Sequence, residues 1–393
     1  MKYRKVPKTG DKISTLGYGC MRFPGAIPSV NINEKKATKQ LLLAIDKGIN
    51  YFDTAWPYHA GNSEKFLGNF LNKYNLREDI YLATKLPHWI TSTKKEMHDI
   101  LNKQLSKLKT DYIDYYLVHN LNLEKWEKAK KNGVLEFLDE AKKSGKIKYT
   151  GFSFHGDSKN FHKIINDYNW EMCQIQYNYL DIENQAGLKG LKYAYDKNIA
   201  VFIMEPLRGG NLSKEFPKSI KKITKKSNKD YTPTEWALRW LYNHKEITCV
   251  LSGMTEKNHI IENCKIADTS DINNMSKKEL NIIDEVRKKF LDLMEIDCTG
   301  CYYCMPCPYG VNIPGCFEYY NAKNIFNDIT ARVQYFSLNG IDHLASKCVD
   351  CKVCIDKCPQ NINIPKELKK VDKDMEDMFG KIIKILYTII MKK

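Results

Sequence analysis

Arginine is scarce in this chain: only seven of its 62 basic residues are arginine, although the net charge is +15. Arginine is the side chain best suited to bidentate contacts with phosphates and bases. The lysines are scattered along segments with helical periodicity and do not gather in one stripe. A solvated basic surface is therefore a better interpretation than a nucleic-acid-binding one, and we predict no nucleic-acid partner.

Long hydrophobic runs are also missing. No window reaches the roughly 18 uninterrupted apolar residues of a membrane span, so we predict no transmembrane segment. Residues Met1 to Ser14 carry charge but no apolar centre, unlike a secretory signal. A chain of 393 residues with 43% hydrophobic and 28% charged residues is typical of a soluble protein with one large domain and a small one.

Cysteine, in contrast, is abundant: the chain has 13, and eight of them form two regularly spaced runs in its last quarter. They form the runs Cys298-x-x-Cys301-x-x-Cys304-x-x-Cys307-Pro308 and Cys348-x-x-Cys351-x-x-Cys354-x-x-x-Cys358-Pro359. This spacing is typical of bacterial ferredoxins, in which each triplet holds one [4Fe–4S] cluster and the cysteine before proline ligates the other cluster. The predicted ligand sets are Cys298, Cys301, Cys304 and Cys358 for one cluster, and Cys348, Cys351, Cys354 and Cys307 for the other.

Zinc is the alternative occupant, because it also binds paired C-x-x-C units. Four zinc ligands from two knuckles do not account for two triplets that are each followed by Cys-Pro, so iron–sulfur clusters are the better interpretation. The first run has two residues between Cys304 and Cys307, where three are usual. This shortening leaves open whether Cys307 is displaced, so that one cluster is labile or differently ligated.

Before the cysteine runs, short apolar segments alternate with longer amphipathic ones, which predicts strands and helices in alternation. The predicted strands are Ser14–Cys20, Asn50–Ala55, Ile80–Lys85, Tyr112–His119, Ile147–Phe154, Met172–Tyr177, Ala200–Glu205 and Thr248–Ser252. Eight strand–helix units over about 250 residues are typical of a (β/α)₈ TIM barrel. A doubly wound sheet is the competing fold, but the G-x-G-x-x-G turn usual in that fold is missing.

Chemistry in such a barrel lies at the C-terminal ends of the strands. The predicted strand ends carry polar residues in an otherwise apolar context: Asp53, Lys85, His119, Ser153, Gln176, Glu205 and Ser252. A single polar residue at such a place is commonly structural. Seven such polar residues at the same end of the predicted barrel favour a functional site.

The sequence predicts three segments. Residues 1–294 would form the (β/α)₈ barrel, closed by a helix over Ser276–Leu293. Residues 295–372 would form a small, mostly helical ferredoxin-like iron–sulfur domain, because about forty residues with helical character separate its cysteine runs. Residues 373–393 form a basic amphipathic tail, for which docking onto the barrel is favoured over binding to a membrane surface or a partner.

Three motifs resemble the aldo/keto reductases as an ordered set: Asp53-Thr54-Ala55-Trp56-Pro57-Tyr58, Lys85 in Ala83-Thr84-Lys85-Leu86, and His119 in Tyr116-Leu117-Val118-His119. Gly61-Asn62-Ser63-Glu64 and Met204-Glu205-Pro206-Leu207-Arg208-Gly209-Gly210 resemble the subgroup that carries a C-terminal ferredoxin-type domain. The resemblance implies reduction of an aldehyde or ketone by NAD(P)H. It makes Tyr58 the general acid, with a pKa lowered by Lys85, Asp53 the partner of Lys85, and His119 the residue that orients the carbonyl.

The resemblance also implies which residues bind the nicotinamide cofactor. Ser153 and Gln176 match positions that hold the carboxamide, and Met204 matches a position that often carries an aromatic ring. The rest of the cofactor would pass Pro206, Leu207, Ser252 and Asn263. Gly253, Met254 and His259 stand where NADPH-preferring relatives often have lysine, serine and arginine, so both NADPH and NADH remain candidates.

Combining the two halves poses a problem of electron counting. Nicotinamide delivers two electrons as hydride, whereas a [4Fe–4S] cluster passes one. A flavin would couple them, although no flavin fingerprint is visible, and a ferredoxin or flavodoxin is a candidate redox partner. The alternative function is a non-catalytic barrel that serves as an electron-carrier or redox-sensing module. Free thiolates and oxygen-sensitive clusters favour a cytoplasmic location.

Overall fold

The computed structural model describes residues 1–25, 31–326, 329–337 and 339–391. The chain divides into two compact units. The first, called the barrel unit, comprises Met1–Leu207 and Thr234–Ser276, and the second, called the C-terminal unit, comprises Arg208–Pro233 and Lys277–Lys393.

Ten strands are found in the described residues, and eight of them form a closed parallel barrel. The first two form an antiparallel hairpin, β1 (Tyr3–Lys5) and β2 (Lys12–Ser14). The barrel strands are β3 (Leu16–Gly19), β4 (Tyr51–Asp53), β5 (Tyr81–Leu86), β6 (Ile113–Leu121), β7 (Ile147–Phe154), β8 (Met172–Gln176), β9 (Ala200–Met204) and β10 (Ile247–Ser252). They follow one another around the barrel, and β10 pairs with β3 to close it.

The helices are α1 (Glu34–Asp46), α2 (Asn62–Tyr74), α3 (Lys94–Leu108), α4 (Leu123–Lys131), α5 (Val134–Lys143), α6 (Ser158–Asp167), α7 (Gly187–Asp196), α8 (Lys218–Thr224), α9 (Pro233–Tyr242), α10 (Lys257–Thr269), α11 (Lys277–Leu293), α12 (Ile313–Phe326), α13 (Ile329–Ser337), α14 (Ile364–Met375) and α15 (Met378–Met391). The eight predicted strands and the (β/α)₈ barrel are therefore confirmed, and no strand end differs from the prediction by more than two residues.

Apolar side chains fill the barrel interior at its N-terminal end. The rings of Tyr51 and Phe202 lie 4.6 Å apart between β4 and β9. Val6 and Ile13 from the hairpin belong to the same buried cluster. The hairpin is fixed there because the backbone N–H of Ser14 donates to Asn50 Oδ1 at 2.8 Å. With this end covered by the hairpin, polar chemistry is left to the opposite, C-terminal end of the strands.

The C-terminal unit is helical and has its own core. Phe317 of α12, Phe336 of α13 and Leu368 of α14 are buried in one cluster, against which six of the eight cysteines of the paired runs pack. Arg332 ties α13 to the end of α14 through ion pairs with Asp374 and Asp377. This architecture confirms a small, mostly helical domain after the barrel.

Two elements concern the predicted segment boundaries. Helix α11 precedes residue 294 in the chain, yet by its contacts it groups with the C-terminal unit. Helix α15 lies in the predicted tail, and Ile383 packs against the core of the C-terminal unit. Met378, Phe379 and Ile382 of the same helix are exposed. The boundaries at residues 294 and 372 stay predictions.

Candidate active site and cysteine cavities

Lys85 lies at the centre of the polar cluster at the C-terminal end of the barrel. Its ammonium donates to Asp53 Oδ1 at 2.6 Å, to the Thr54 carbonyl at 2.8 Å and to the Tyr58 hydroxyl at 3.4 Å. Asp53 and Lys85 are buried, so their charges need these partners to be stable away from water. The structure therefore brings together three of the four residues predicted for catalysis.

Gln174 holds the second oxygen of the Asp53 carboxylate, and the sequence reasoning missed it. Its amide Nε2 donates to Asp53 Oδ2 at 2.5 Å, across the barrel from β8 to β4. Gln174 and Gln176 lie two residues apart on β8 and hence point to the same side of the sheet. That alternation of polar residues within a buried strand is a signal from which Gln174 could have been found.

His119, the fourth predicted residue, lies beside Tyr58. The ring centroids of Tyr58 and His119 are 6.1 Å apart, with the planes almost perpendicular. Burial, followed by the positive charge of Lys85, lowers the pKa of His119 well below its ordinary value. His119 is therefore a neutral imidazole, which can donate one hydrogen bond without carrying charge.

Trp89 lies beside His119 and was also missed. It lies in the 3₁₀ turn His88–Ile90 after β5, and its ring centroid is 5.3 Å from that of His119. The Trp89 side chain is largely exposed. An exposed indole beside His119 gives the site an apolar wall.

The Tyr58 pKa differs in direction from the expectation based on Lys85. Burial, followed by the negative charge of Asp53, raises the pKa of Tyr58 well above its ordinary value. Burial and Asp53 therefore outweigh the lowering expected from Lys85, whose hydrogen bond to Tyr58 is long. Tyr58 is consequently a protonated phenol at neutral pH, as a proton donor must be.

A turn with unusual backbone conformation carries Tyr58. His59 and Ala60 have φ of 52° and 51°, in the left-handed region that non-glycine residues seldom adopt. The backbone N–H of Phe23 donates to His59 Nε2 at 3.1 Å, which helps to fix the turn. Strained backbone of this kind persists where surrounding contacts over-determine it.

The Gly61-Asn62-Ser63-Glu64 motif anchors this turn to the barrel. The hydroxyls of Ser63 and Thr54 are 2.8 Å apart. The buried Glu64 carboxylate accepts hydrogen bonds from Thr84 Oγ1 at 2.7 Å and from Gln104 Nε2 at 2.6 Å. Because Thr84 directly precedes Lys85, these bonds connect the helix after Tyr58 to the strand that carries the lysine.

Two of the predicted cofactor residues, Ser153 and Gln176, are buried at the ends of β7 and β8. Ser153 Oγ accepts from the backbone N–H of Asn120 at 2.7 Å. Gln176 Nε2 donates to Asp181 Oδ2 at 3.1 Å, and its Oε1 accepts from Gln185 at 3.0 Å. Both side chains are thus held in fixed orientations at the same end of the barrel as Tyr58.

The other predicted cofactor residues fall in two groups. Met204 ends β9, and Pro206 and Leu207 follow Glu205, whose φ is 54°. Separately, Asn263 Nδ2 of α10 donates to Ser252 Oγ at the end of β10 at 3.1 Å. The structure therefore brings Ser252 and Asn263, which lie on consecutive elements, into direct contact.

Arg22, a cation that the sequence reasoning did not use, lies near the loop that follows Ser252. A Cβ added at Gly253 would lie 3.1 to 3.4 Å from the Arg22 side chain. Gly253 is one of the positions where a cation was expected for NADPH preference and is missing. The side chain of Arg22 thus lies against the loop in which Gly253 stands in place of the expected lysine.

In the C-terminal unit, the paired cysteine runs line two cavities. One is lined by Cys298, Cys301, Cys304 and Cys358, and is called the first cavity. The other is lined by Cys307, Cys348, Cys351 and Cys354 together with Cys304, and is called the second cavity. The cysteine before each proline therefore lies with the triplet of the other run, as the ferredoxin pattern predicts.

The electrostatics of the thiols support the same grouping. Burial raises the pKa of Cys354 to about 11, and the neighbouring Cys348, Cys351 and Cys307 contribute to the rise. Burial also raises the pKa of Cys304, with contributions from Cys301, Cys298 and Cys358. Cys307 is thus placed with the second triplet despite the shortened spacing after Cys304.

The closed parallel barrel with its lysine-centred polar cluster and the cysteine-lined helical unit define an oxidoreductase with two functional parts. Residues 15–288 match the model of the aldo/keto reductase family, and residues 297–362 match that of a 4Fe-4S dicluster domain. The chain belongs to the aldo/keto reductase family and carries a C-terminal ferredoxin-type domain, as the resemblance predicted. Among the described residues, no helix is long and apolar enough to cross a membrane.

Individual relatives resemble the barrel part of the chain. An uncharacterized oxidoreductase of Bacillus subtilis, YqkF, is 27% identical over 302 residues, covering 68% of this chain and 92% of that protein. The L-galactose dehydrogenase of Arabidopsis thaliana is 24% identical and covers 73% of this chain and 94% of its own length. These relatives support the oxidoreductase class.

Solved structures give the same fold. The aldo-keto reductase AKR11C1 from Bacillus halodurans in its holo form has a TM-score of 0.61 at 23% identity, covering 73% of this chain and 96% of that one. An aldo/keto reductase from Klebsiella pneumoniae, in complex with NADP and acetate, has a TM-score of 0.60 at 20% identity with the same coverage. At these identities the likeness shows the fold alone.

Proposed function

We propose that the barrel reduces an aldehyde or ketone with NADPH or NADH, and that Tyr58 is the general acid. The observation that carries this proposal is the buried Lys85 ammonium, which is hydrogen-bonded to both Asp53 and the Tyr58 hydroxyl. An ion pair with a purely structural role would not need a tyrosine hydroxyl bonded to its ammonium. The arrangement suits a site where negative charge develops on a phenol oxygen.

The reaction needs hydride at the carbonyl carbon and a proton at the carbonyl oxygen. A nicotinamide bound at the C-terminal end of the barrel supplies the hydride. Tyr58 donates its hydroxyl proton to the carbonyl oxygen, and the Lys85 ammonium stabilises the phenolate that remains. Asp53, itself held by Gln174, keeps Lys85 in position. Neutral His119 donates a hydrogen bond that orients the carbonyl oxygen.

Ser153, Gln176, Met204, Pro206, Leu207, Ser252 and Asn263 are the proposed cofactor residues. Their placement fits, because these strand ends and loops surround the same end of the barrel as Tyr58. The Klebsiella pneumoniae relative was solved with NADP, which supports a nicotinamide cofactor here. Arg22 beside Gly253 supplies a positive charge in the region where NADPH-preferring relatives carry one, so NADPH and NADH are both to be tested.

For the C-terminal unit we propose two [4Fe–4S] clusters, one in each cavity. Each cavity is lined by a triplet and the proline-linked cysteine of the other run. A zinc ion would need its four thiolates around one point. Within the part of the chain that the structure describes, no three His, Cys, Asp or Glu side chains are grouped for a single metal ion. When bound, the clusters supply one-electron transfer, and their oxygen sensitivity is consistent with a cytoplasmic protein.

Consumption of NADPH and NADH with a panel of aldehydes and ketones tests the barrel proposal. We expect turnover with at least one carbonyl substrate in anaerobically purified protein. Nicotinamide binding without turnover of any carbonyl would instead support the alternative, a non-catalytic barrel that serves as an electron-carrier or redox-sensing module. The same samples, assayed for iron and zinc, test the cluster proposal independently.

A further inference from the structure

The two cysteine cavities differ in their exposure to solvent. None of the residues that line the first cavity is exposed. The second cavity, in contrast, opens between exposed side chains, and Cys351 is the one exposed cysteine among the described residues. A cluster in the second cavity would therefore lie closer to solvent at Cys351 than one in the first cavity at any of its ligands.

Three large apolar side chains surround this opening and are called the collar. Tyr309 is 52% exposed, Val349 57% and Val353 45%, and all three line the second cavity. Single exposed apolar residues are common on protein surfaces, but several that converge on one opening mark a site of interaction. The collar is too small for a stable permanent interface and suits a transient one.

Lysines outnumber acidic residues in the segment that carries the second cysteine run. Between residues 346 and 370 the chain has six lysines and three acidic residues. Of the acidic residues, Asp350 is already paired with Lys369 at 2.8 Å. Lys352 lines the cavity itself and is exposed, and within the described residues it has no ion-pair partner. Such a rim complements a negatively charged surface and speeds its encounter.

We infer that the collar and Lys352 form the docking surface for a small acidic protein that carries one electron at a time. The inference rests on the proposed cluster in the second cavity. In the transfer, a flavodoxin whose flavin is the anionic hydroquinone loses one electron to become the neutral semiquinone. A [4Fe–4S] cluster held by Cys307, Cys348, Cys351 and Cys354 would accept that one electron, so no proton or further reactant would be required.

Charge-reversal variants test the role of Lys352. Anaerobic stopped-flow mixing with an acidic flavodoxin hydroquinone measures the second-order rate of cluster reduction. We expect Lys352→Glu to lower that rate about tenfold and to weaken its dependence on ionic strength. Lys373→Glu is the matched control, because Lys373 is exposed on α14, lines neither cavity and changes the net charge equally. Its rate should stay within about twofold of the wild type.

A second pair of variants tests the collar. Val349→Asp should lower the rate about tenfold, because it places a negative charge in the apolar contact. Val333→Asp is the control, since Val333 is similarly exposed on α13 and lines neither cavity. Equal effects in test and control variants would overturn the inference. A loss of rate that occurs only in a test variant that has dimerised would overturn it as well.

Two measurements separate this inference from the cluster proposal. Iron content and reduction by dithionite show whether each variant still holds its clusters. Wild-type protein that is reduced by dithionite but not by flavodoxin would overturn the docking surface and leave the clusters in place. Protein without iron would instead refute the cluster proposal itself.

Discussion

The Lys85 ammonium has three oxygen acceptors, and only one of them, the Tyr58 hydroxyl, changes charge during the proposed reaction. Asp53 and the Thr54 carbonyl keep the ammonium in place throughout. Tyr58 stays protonated until a carbonyl oxygen accepts the proton, because burial and Asp53 raise its pKa. The lysine therefore assists proton transfer by stabilising the negative charge that develops on the phenol oxygen.

Removing the Tyr58 hydroxyl tests this role directly. Tyr58→Phe should lower carbonyl turnover by roughly 10²- to 10⁴-fold, the usual contribution of a general acid. Nicotinamide binding, measured by fluorescence titration, should be nearly unchanged, because the hydroxyl is not proposed to contact the cofactor. Tyr74→Phe is the control, because Tyr74 is an exposed tyrosine at the end of α2 with no proposed role in the reaction. A Tyr58→Phe protein with most of its turnover would exclude Tyr58 as the acid.

A second residue-scale prediction concerns His88, which is buried next to the polar cluster. Burial, followed by Lys125 and Lys128, lowers the pKa of His88 to about 4. In the unfolded chain its pKa is about 6.5. The unfolded state therefore binds a proton that the folded state does not, in the window between these values, and stability falls as pH drops through it.

For one such group the loss between pH 7 and pH 5 is about 2 kcal/mol. We expect the melting temperature of His88→Gln to fall less over that range than that of the wild type. His162→Gln, an exposed histidine on α6, is the control and should behave as the wild type does. Identical pH dependence in all three proteins would show that folding does not lower the pKa of His88.

At the scale of elements, the strands were predictable and the contacts across the barrel were not. Runs such as Ala200–Met204 are apolar throughout because both faces of a parallel strand are buried, and this signal is local. Gln174 reaches Asp53 from β8 to β4, and Trp89 reaches His119 of β6 from the turn after β5. Such neighbours depend on closure of the barrel, which no local pattern specifies. The direction of the Tyr58 pKa was missed for the same reason, since burial is a tertiary property.

The short Cys304–Cys307 spacing is an element-scale feature with a testable consequence. Cys307 lies in the second cavity, whereas Cys304 lines both. Protein made without oxygen should carry about eight irons per chain, and Cys307→Ala should retain about four. Iron analysis and electron paramagnetic resonance measure both. Cys316→Ala is the control, because Cys316 is buried and lines neither cavity, and it should keep all the iron. Loss of both clusters or of neither in Cys307→Ala would contradict the ligand sets.

At the scale of the whole molecule, the barrel is proposed to transfer two electrons as hydride, whereas the C-terminal unit is proposed to transfer one at a time. We expect dithionite to reduce the clusters of flavin-free protein, and NADH or NADPH alone to reduce them slowly or not at all. The reason is that hydride carries two electrons, whereas each cluster accepts one. Anaerobic mixing followed by cluster absorbance and electron paramagnetic resonance measures this. Fast reduction by NAD(P)H in flavin-free protein would contradict the expectation, and reduction only after flavin addition would identify a further cofactor.

The crossing of the two cysteine runs has a consequence for how the C-terminal unit is assembled. With the proposed ligand sets, each cluster ties one end of the α12–α13 segment to the other, so the two clusters act as a pair of inorganic cross-links between distant parts of the chain. Cross-links of this kind restrict the unfolded chain more than the folded one. Iron delivery would then be part of folding for this unit. A chain deprived of iron would leave this unit unfolded and open to proteases, and would be degraded rather than accumulate as inactive enzyme.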